Sequence, residues 1–135
     1  MAKEFSLSVV APDRSVVEDQ AVSVVAPGVA GYFGVMSGHL PMVAALRAGI
    51  VEYVDSKNQR HHIAVGGGFA EVSGERLTIL ADSAAKATEI DIKAEEARLE
   101  RARRAMRGED SEMSSADATQ ELDQAMARIR TASRR

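Results

Sequence analysis

The chain has 135 residues and no cysteine. This absence excludes disulfides, thiolate nucleophiles and cysteine-containing zinc sites, and with them a small disulfide-stapled secreted domain. No run approaches the roughly 18 consecutive apolar residues of a membrane-spanning helix. The first five residues have neither a basic start nor an apolar stretch, so the sequence also predicts no secretory signal. We therefore expect a protein that begins in the cytosol or its equivalent.

The chain also has little excess of one sign of charge over the other. The formal net charge is −3 and 27% of the residues are charged, so no global field favours nucleic acid or anionic lipid. Hydrophobic residues make up 45% of the chain, which is enough for the core of one ordinary domain or of two very small ones.

The residue types change along the chain. All five aromatic residues and all fourteen valines lie within residues 5–72, and the three prolines also lie before residue 75. After Ser83 the chain is rich in alanine, glutamate and arginine. Valine and aromatic residues favour strands, whereas alanine, glutamate and arginine favour helices. The sequence thus predicts a β domain at residues 1–87 and a helical domain at residues 88–135.

In the first part, short β-rich runs alternate with turn residues. They predict nine short antiparallel strands, at residues 5–10, 15–18, 21–26, 32–36, 42–45, 49–55, 59–65, 68–72 and 76–80. This spacing leaves no room for crossover helices, so we expect two packed sheets, an antiparallel β-sandwich.

The second part predicts an antiparallel two-helix hairpin. Asp91 is a suitable N-cap for a helix from Ile92 to Arg107, and Gly108 ends it. Ser114 or Ser115 caps the next helix, whose apolar stripe consists of Ala118, Leu122, Ala125, Ile129 and Ala132. Both stripes are narrow and rich in alanine. The hairpin is therefore expected to be marginally stable alone and able to leave the surface on which it packs.

Several motifs that suggest chemistry have simpler interpretations. Residues 66–68 are three glycines without the Gly-Lys-Ser/Thr of a phosphate loop, which favours a bulge or close strand approach. His61 and His62 are adjacent in a predicted strand, so they point to opposite faces and cannot share a metal. For His39, in a loop, contact or structure is favoured over catalysis. A small hydrolase using His39 or the triple glycine is the disfavoured enzymatic reading.

The first predicted helix carries a row of arginines, interleaved and followed by carboxylates: Arg98, Arg101, Arg103, Arg104 and Arg107. Ion pairing on a solvated face is the favoured interpretation. A docking face for an acidic protein surface or a nucleotide is the alternative. Composition and spacing alone therefore predict a non-catalytic interaction module, for example a free-standing adaptor that dimerises through its hairpin.

The ordered motifs, however, resemble a known family, the ε subunit of bacterial and chloroplast F-type ATP synthases. The matching blocks are V-V-A-P-D-R at residues 9–14, G-Y-F-G-V-M-S-G-H-L-P-M at 31–42, G-G-F-A-E-V at 67–72, L-T-I-L-A-D at 77–82 and I-D-I-K-A-E at 90–95. Their order and spacing agree over the whole chain.

The resemblance implies a non-catalytic subunit of the rotor, or central stalk, of a proton-translocating synthase. Its sandwich would bind the γ subunit and rest on the c-subunit ring, and its hairpin would fold on the sandwich or extend into the catalytic α/β head and inhibit ATP hydrolysis. It further implies a peripheral protein on the cytoplasmic face of the bacterial plasma membrane, or on the stromal face of the thylakoid, with no nucleic-acid partner.

Site residues carry over by position. The resemblance implies c-ring contact by Tyr32, Phe33, Gly38, His39 and Leu40, with Tyr32 standing where the family often has an acidic residue. Asp91 and Arg101 match positions that bind regulatory ATP in some members, but Ala94 replaces the arginine of that motif. The loss of a phosphate-pairing guanidinium predicts no regulatory ATP at this motif and no cofactor.

Overall fold

The computed structural model describes residues 3–110 and 112–134. Two long helices follow a series of strands. The strands are β1 (Phe5–Ala11), β2 (Arg14–Gly28), β3 (Gly31–Val35), β4 (Met42–Asp55), β5 (Arg60–Ser73), β6 (Arg76–Ala81) and β7 (Ala84–Lys86). A 3₁₀ turn at Ala87–Glu89 leads to α1 (Ile92–Met106) and α2 (Ser115–Ala132). The predicted class, a β-sandwich followed by a helical hairpin, is confirmed.

The strands form a closed ring of hydrogen-bonded neighbours. The order is β1-β6-β5-β4-β2, and β2 pairs back with β1. β3 pairs with β2, and β7 pairs with β5. One detail differs from the predicted all-antiparallel arrangement, because β1 and β6 run parallel. β1 can do so because it already forms an antiparallel hairpin with β2 and meets β6 only from its other edge.

Fewer and longer strands occur than the nine predicted. Three pairs of predicted segments are single strands of fourteen or fifteen residues, β2, β4 and β5. Shifts of register within β2 keep it in the ladder while it bends, because a bulge bends a strand without ending it. The short strand β7, on the edge of β5, was not predicted.

The triple glycine lies inside β5, not between two strands. Gly68 has φ +133°, and a Cβ built on it would lie 2.0 Å from the carbonyl oxygen of Leu80 on β6. A Cβ on Gly66 would lie 2.3 Å from Ser83 Oγ and 2.6 Å from Gln124 Nε2. The predicted close approach is thus confirmed. Only glycine fits at position 68, whereas a side chain at position 66 would have to displace the Ser83 and Gln124 side chains.

The main core fills the space enclosed by the ring. Alternate residues of the strands point inward, as the burial pattern of β6 shows. Leu7, Val9, Ile63, Leu77 and Ile79 are at most 1% exposed. At about 1.5–3 kcal/mol for each large aliphatic side chain, this core is the chief source of stability of the sandwich.

Both helices begin where the sequence predicts, and α1 ends at Met106, one residue before the predicted end. Asp91 Oδ1 accepts a hydrogen bond from the Ala94 amide, and the Ser114 hydroxyl accepts one from the Asp117 amide. Gly108, with φ +78°, follows α1. Neither helix, nor any other within the described ranges, offers the apolar length that a bilayer crossing requires.

The hairpin packs on the sandwich through α2, which contacts β4 and β5, while α1 packs on α2. Most of the buried side chains of α2 are alanines. A small second core joins the two parts and contains Ala64, Ala85, Ile90 and Ala132. Small side chains bury little apolar area. Much more apolar area is therefore buried inside the sandwich than between the sandwich and the hairpin.

We therefore predict that a chain ending at Ala87 folds cooperatively as a β protein, because the closed ring and its core lie before that residue. Circular dichroism and chemical denaturation would measure this. A single sigmoidal transition with a strand spectrum is expected, and a spectrum of an unfolded chain would contradict the division at residue 87.

Candidate functional site

The five residues assigned to the c-ring contact fall into two groups. Gly38, His39 and Leu40 lie in the loop between β3 and β4. The loop turns tightly, since the His39 amide donates to the Met36 carbonyl at 3.2 Å and Gly38 has φ +85°. Leu40 is 79% exposed. Its projecting apolar side chain is the part of the loop best suited to dock elsewhere.

Tyr32 and Phe33 lie on β3. A strand rises about 3.3 Å per residue, so Tyr32 is about 10 Å from the end of β3 at which the loop begins. Tyr32 is half exposed, its hydroxyl accepts a hydrogen bond from the Ile50 amide, and the Arg47 guanidinium lies 5.7 Å from its ring centroid. Phe33 is partly buried against the core. The loop and Tyr32 are therefore separate features of the sandwich.

An exposed apolar patch that we did not predict lies on the outer face of β4, β5 and β6. Phe69 and Leu80 are directly opposite each other across β5 and β6, and Phe69 is opposite Ala45 on β4. Val43, Phe69 and Leu80 are 68%, 56% and 56% exposed. These three residues form what we call the β4–β6 patch. The sequence signal that could have revealed the patch is the alternation in residues 69–72. Phe69 and Glu71 share one face of β5, and Ala70 and Val72 share the opposite face.

The residues matching the nucleotide motif are not brought together. Asp91 caps α1 with its carboxylate, and Ala94 is exposed in the first turn of that helix. Arg101 Nε donates to Asp110 Oδ2 at 3.2 Å, near the opposite end of α1. The cavity beside Arg101 is lined by Arg104, Glu109, Asp110 and Glu112, and not by Asp91. Both residues therefore already have structural partners within the hairpin.

A polar junction joins α1, α2 and the sandwich. Gln124 on α2 donates through Nε2 to the Gly66 carbonyl at 3.2 Å. Arg98 on α1 donates through Nη2 to Gln124 Oε1 at 2.5 Å. Gln124 is buried. One amide side chain thus connects both helices to the glycine run of β5.

Ion pairs surround this junction. Arg98 donates to Glu121 on α2 and lies 3.4 Å from Glu95, and Arg128 lies 3.6 Å from the other oxygen of Glu95. The Arg98 hydrogen bond holds the pKa of Glu121 below its ordinary value of 4.5. A carboxyl whose pKa is lowered in the folded state stabilises that state above its unfolded pKa. The contribution of this pair is thus complete at neutral pH and is lost as the pH falls below about 4.5.

The predicted pairing within the arginine row is confirmed for several members, although the partners are mostly not at the i,i+4 spacing. Arg101 pairs with Asp110, and Arg107 pairs with Glu100 and Glu109. Exposed pairs of this kind contribute little to stability, typically about 0–1 kcal/mol each.

One cluster has the composition of a metal site. Donor atoms of Asp19, Asp55 and His61 lie within 4.8 Å of one another. Their atoms are already engaged, since His61 Nε2 lies 2.7 Å from Asp55 Oδ2 and the Tyr53 hydroxyl donates to Asp19 at 2.8 Å. Asp55 Oδ1 accepts from two backbone amides of the β4–β5 turn. The His61 hydrogen bond lowers the pKa of Asp55. These contacts stabilise the β4–β5 turn.

The structure thus combines a β-sandwich whose strands close into a ring with a two-helix hairpin that packs on it. A sequence profile described as "ATP synthase, Delta/Epsilon chain, beta-sandwich domain" matches residues 4–87. The chain belongs to this ATP synthase δ/ε family.

Two relatives cover most of the chain. The ATP synthase epsilon chain of Nitratidesulfovibrio vulgaris strain DP4 is 38% identical over 130 residues, which is 96% of each chain. That of Desulfosudis oleivorans is 43% identical over 102 residues, 76% of this chain and 77% of its own.

A solved structure shares the fold. A chain in the structure of the Euglena gracilis mitochondrial ATP synthase, which comprises OSCP, F1 and the c-ring, has a TM-score of 0.76 at 22% identity. The alignment covers 98% of the present chain and 82% of the other.

The junction generates a prediction about docking of the hairpin. Gln124→Ala removes the acceptor of Arg98 Nη2 and the side-chain donor to the Gly66 carbonyl, which costs about 1–3 kcal/mol. Hydrogen exchange should therefore show faster exchange in α2 while the strand amides keep their protection. Gln120→Ala, an exposed glutamine of the same helix, is the matched control and should change neither. Equal exchange in the two variants would show that the junction does not hold the hairpin.

Proposed function

We propose that the chain is a non-catalytic subunit of the central stalk of a proton-translocating F-type ATP synthase. The observation that carries this proposal is the 38% identity to an ATP synthase epsilon chain over 96% of both chains. In this role it couples rotation of the c-ring to ATP synthesis and has no active site of its own. It lies at the membrane periphery, on the cytoplasmic side in a bacterium or the stromal side in a plastid.

The β4–β6 patch is our candidate surface for the γ subunit. Val43, Phe69 and Leu80 expose large apolar side chains on one face of adjacent strands. Apolar groups held on a rigid sheet favour a lasting interface, because burial gains free energy and little ordering is needed. A subunit that turns with γ requires such a permanent contact.

The c-ring contact is assigned to two features, the loop with Gly38, His39 and Leu40 and the β3 residues Tyr32 and Phe33. Leu40 and Tyr32 supply exposed anchors. Arg47 beside the Tyr32 ring adds positive charge. Apolar and aromatic anchors of this kind contribute roughly 1–3 kcal/mol each.

The hairpin is proposed to inhibit ATP hydrolysis when it leaves the sandwich and extends into the catalytic head. Its contact with the sandwich consists mainly of alanines and one polar junction, so a few kcal/mol would separate the two positions. In the folded form α1 packs on α2. Dimerisation through the hairpin, as in an adaptor, would compete with this pairing of the two helices.

We predict that Leu40→Ala with His39→Ala lowers ATP synthesis driven by a proton gradient, because the ring contact loses its loop anchor. Tyr32→Ala should lower it separately, since the two features are apart on the sandwich. Synthesis would be measured in vesicles reconstituted with the complete synthase. Lys57→Ala, in the exposed β4–β5 turn, is the control. Unchanged synthesis in both variants, with γ still bound, would show that the contact lies elsewhere.

Deletion of residues 88–135 should raise the rate of ATP hydrolysis by the purified complex, because the inhibitory element is removed. Gln124→Ala should lower that rate, because it weakens the folded position and leaves the hairpin free to extend. Steady-state hydrolysis assays of the complete complex would measure both. Hydrolysis that is unaltered by the deletion would exclude inhibition by the hairpin.

A further inference from the structure

Two carboxylates and an imidazole meet on adjacent strands near the β4–β5 turn. Asp19 lies on β2, Asp55 ends β4 and His61 is the second residue of β5. These three strands are neighbours in the sheet, in the order β5-β4-β2. One donor atom of each side chain lies within 4.8 Å of the other two. Residues from three separate segments thus direct oxygen and nitrogen atoms at one small space.

The surrounding structure orients these side chains. Asp55 Oδ1 accepts from two backbone amides of the turn, so Oδ2 is directed at His61 Nε2, which lies 2.7 Å away. The His61 ring stacks on the Tyr53 ring with centroids 4.6 Å apart. The Tyr53 hydroxyl donates to Asp19 Oδ2 at 2.8 Å. Ligands of protein-bound metals are typically oriented by such outer hydrogen bonds, and a carboxylate has about four lone pairs, so both aspartates can still coordinate.

The charges of the cluster favour a cation. Among the described residues, the ion-pair partner of Asp55 is His61, and neither aspartate pairs with a lysine or an arginine. Arg60, next in sequence to His61, pairs with a glutamate of β4 instead. Lys86 and Arg134 line the adjoining cavity and lower the affinity for a cation without neutralising the aspartates. Two carboxylates therefore share one imidazole, and a bound cation relieves the repulsion between them.

We propose that Asp19, Asp55 and His61 bind a zinc ion. Zinc bonds to nitrogen and oxygen are about 2.0–2.2 Å long, so tetrahedral ligand atoms lie about 3.3 Å apart, and side-chain shifts of about 1 Å bring the three donors to this spacing. The zinc ion replaces the proton between His61 Nε2 and Asp55 Oδ2. The adjoining cavity, of about 470 Å³, is lined by Asp19 and His61 and has room for a water molecule as the fourth ligand.

The donor set selects the metal. Imidazole suits zinc, whereas magnesium and calcium prefer oxygen ligands alone. A zinc ion held by all three residues links β2 to the β4–β5 turn. A ligand that binds only the folded chain stabilises it, so zinc should raise the unfolding midpoint of the sandwich. All three ligands belong to the sandwich, and the proposal therefore does not depend on the stalk function or on the position of the hairpin.

Isothermal titration of the full chain with zinc chloride, in a buffer that does not coordinate metals, tests the proposal. One site with a Kd below about 100 μM is expected. Asp19→Asn and His61→Gln should each weaken binding at least about tenfold, since even an outer-shell partner contributes that much. His62→Gln removes the neighbouring imidazole, which is outside the cluster, and should leave the affinity unchanged. Magnesium chloride at the same concentration should not compete.

Nuclear magnetic resonance of the unaltered chain gives a second measurement, which does not depend on the folding of any variant. The chain has three histidines, and their imidazole nitrogen signals can be followed separately during the titration. Zinc should shift the signals of His61 and leave those of His39 and His62 in place. The proposal is overturned by the absence of saturable binding, by competition from magnesium, by shifts at His39 or His62 instead of His61, or by equal losses of affinity in His61→Gln and His62→Gln.

Discussion

The close backbone approach at the glycine run of β5 is the constraint on which both parts of the structure depend. Gly68 admits the Leu80 carbonyl into the space of a missing side chain, so β6 can pair with β5 where the strand bends and can still reach β1. Gly66 leaves room for Ser83 and for the Gln124 amide of α2. Closure of the strand ring and packing of the hairpin therefore both depend on the three consecutive glycines at residues 66–68. A side chain at either position would displace backbone or a buried polar group, and both are costly to move.

Different residues determine where the hairpin packs on the sandwich and how strongly it is held there. Alanines along α2 allow a close fit but bury little apolar area, so the contact contributes modest free energy. The hydrogen bonds from Arg98 to Gln124 and from Gln124 to Gly66 define one angle and one register. Buried polar groups that are fully paired in only one arrangement disfavour the alternatives more than they stabilise the fold. The polar junction thus determines where the hairpin lies, while the alanine contact contributes little of the free energy that holds it there.

Sequence reasoning predicted the kinds of element well because these depend on local chemistry. Composition separated strands from helices, and capping residues located both helix starts at Asp91 and Ser114. Strand lengths were wrong because β5 continues through glycines that resemble a break, and because register shifts let β2 bend without ending. The parallel pair of β1 and β6 and the β4–β6 patch depend on contacts between distant segments, which a single sequence does not contain. Separation of Tyr32 from His39 follows from the length of β3, and could have been predicted from the strand rise.

The pairing of β1 on both edges determines how this strand responds to a pulling force. This strand lies between β2, to which it is antiparallel, and β6, to which it is parallel. A force that pulls along β1 is therefore roughly perpendicular to the hydrogen bonds that join β1 to both neighbours. These bonds share such a load and must break together, unlike the bonds of a terminal hairpin that opens one pair at a time. The first strand is thereby anchored in shear and resists a pull along its own axis.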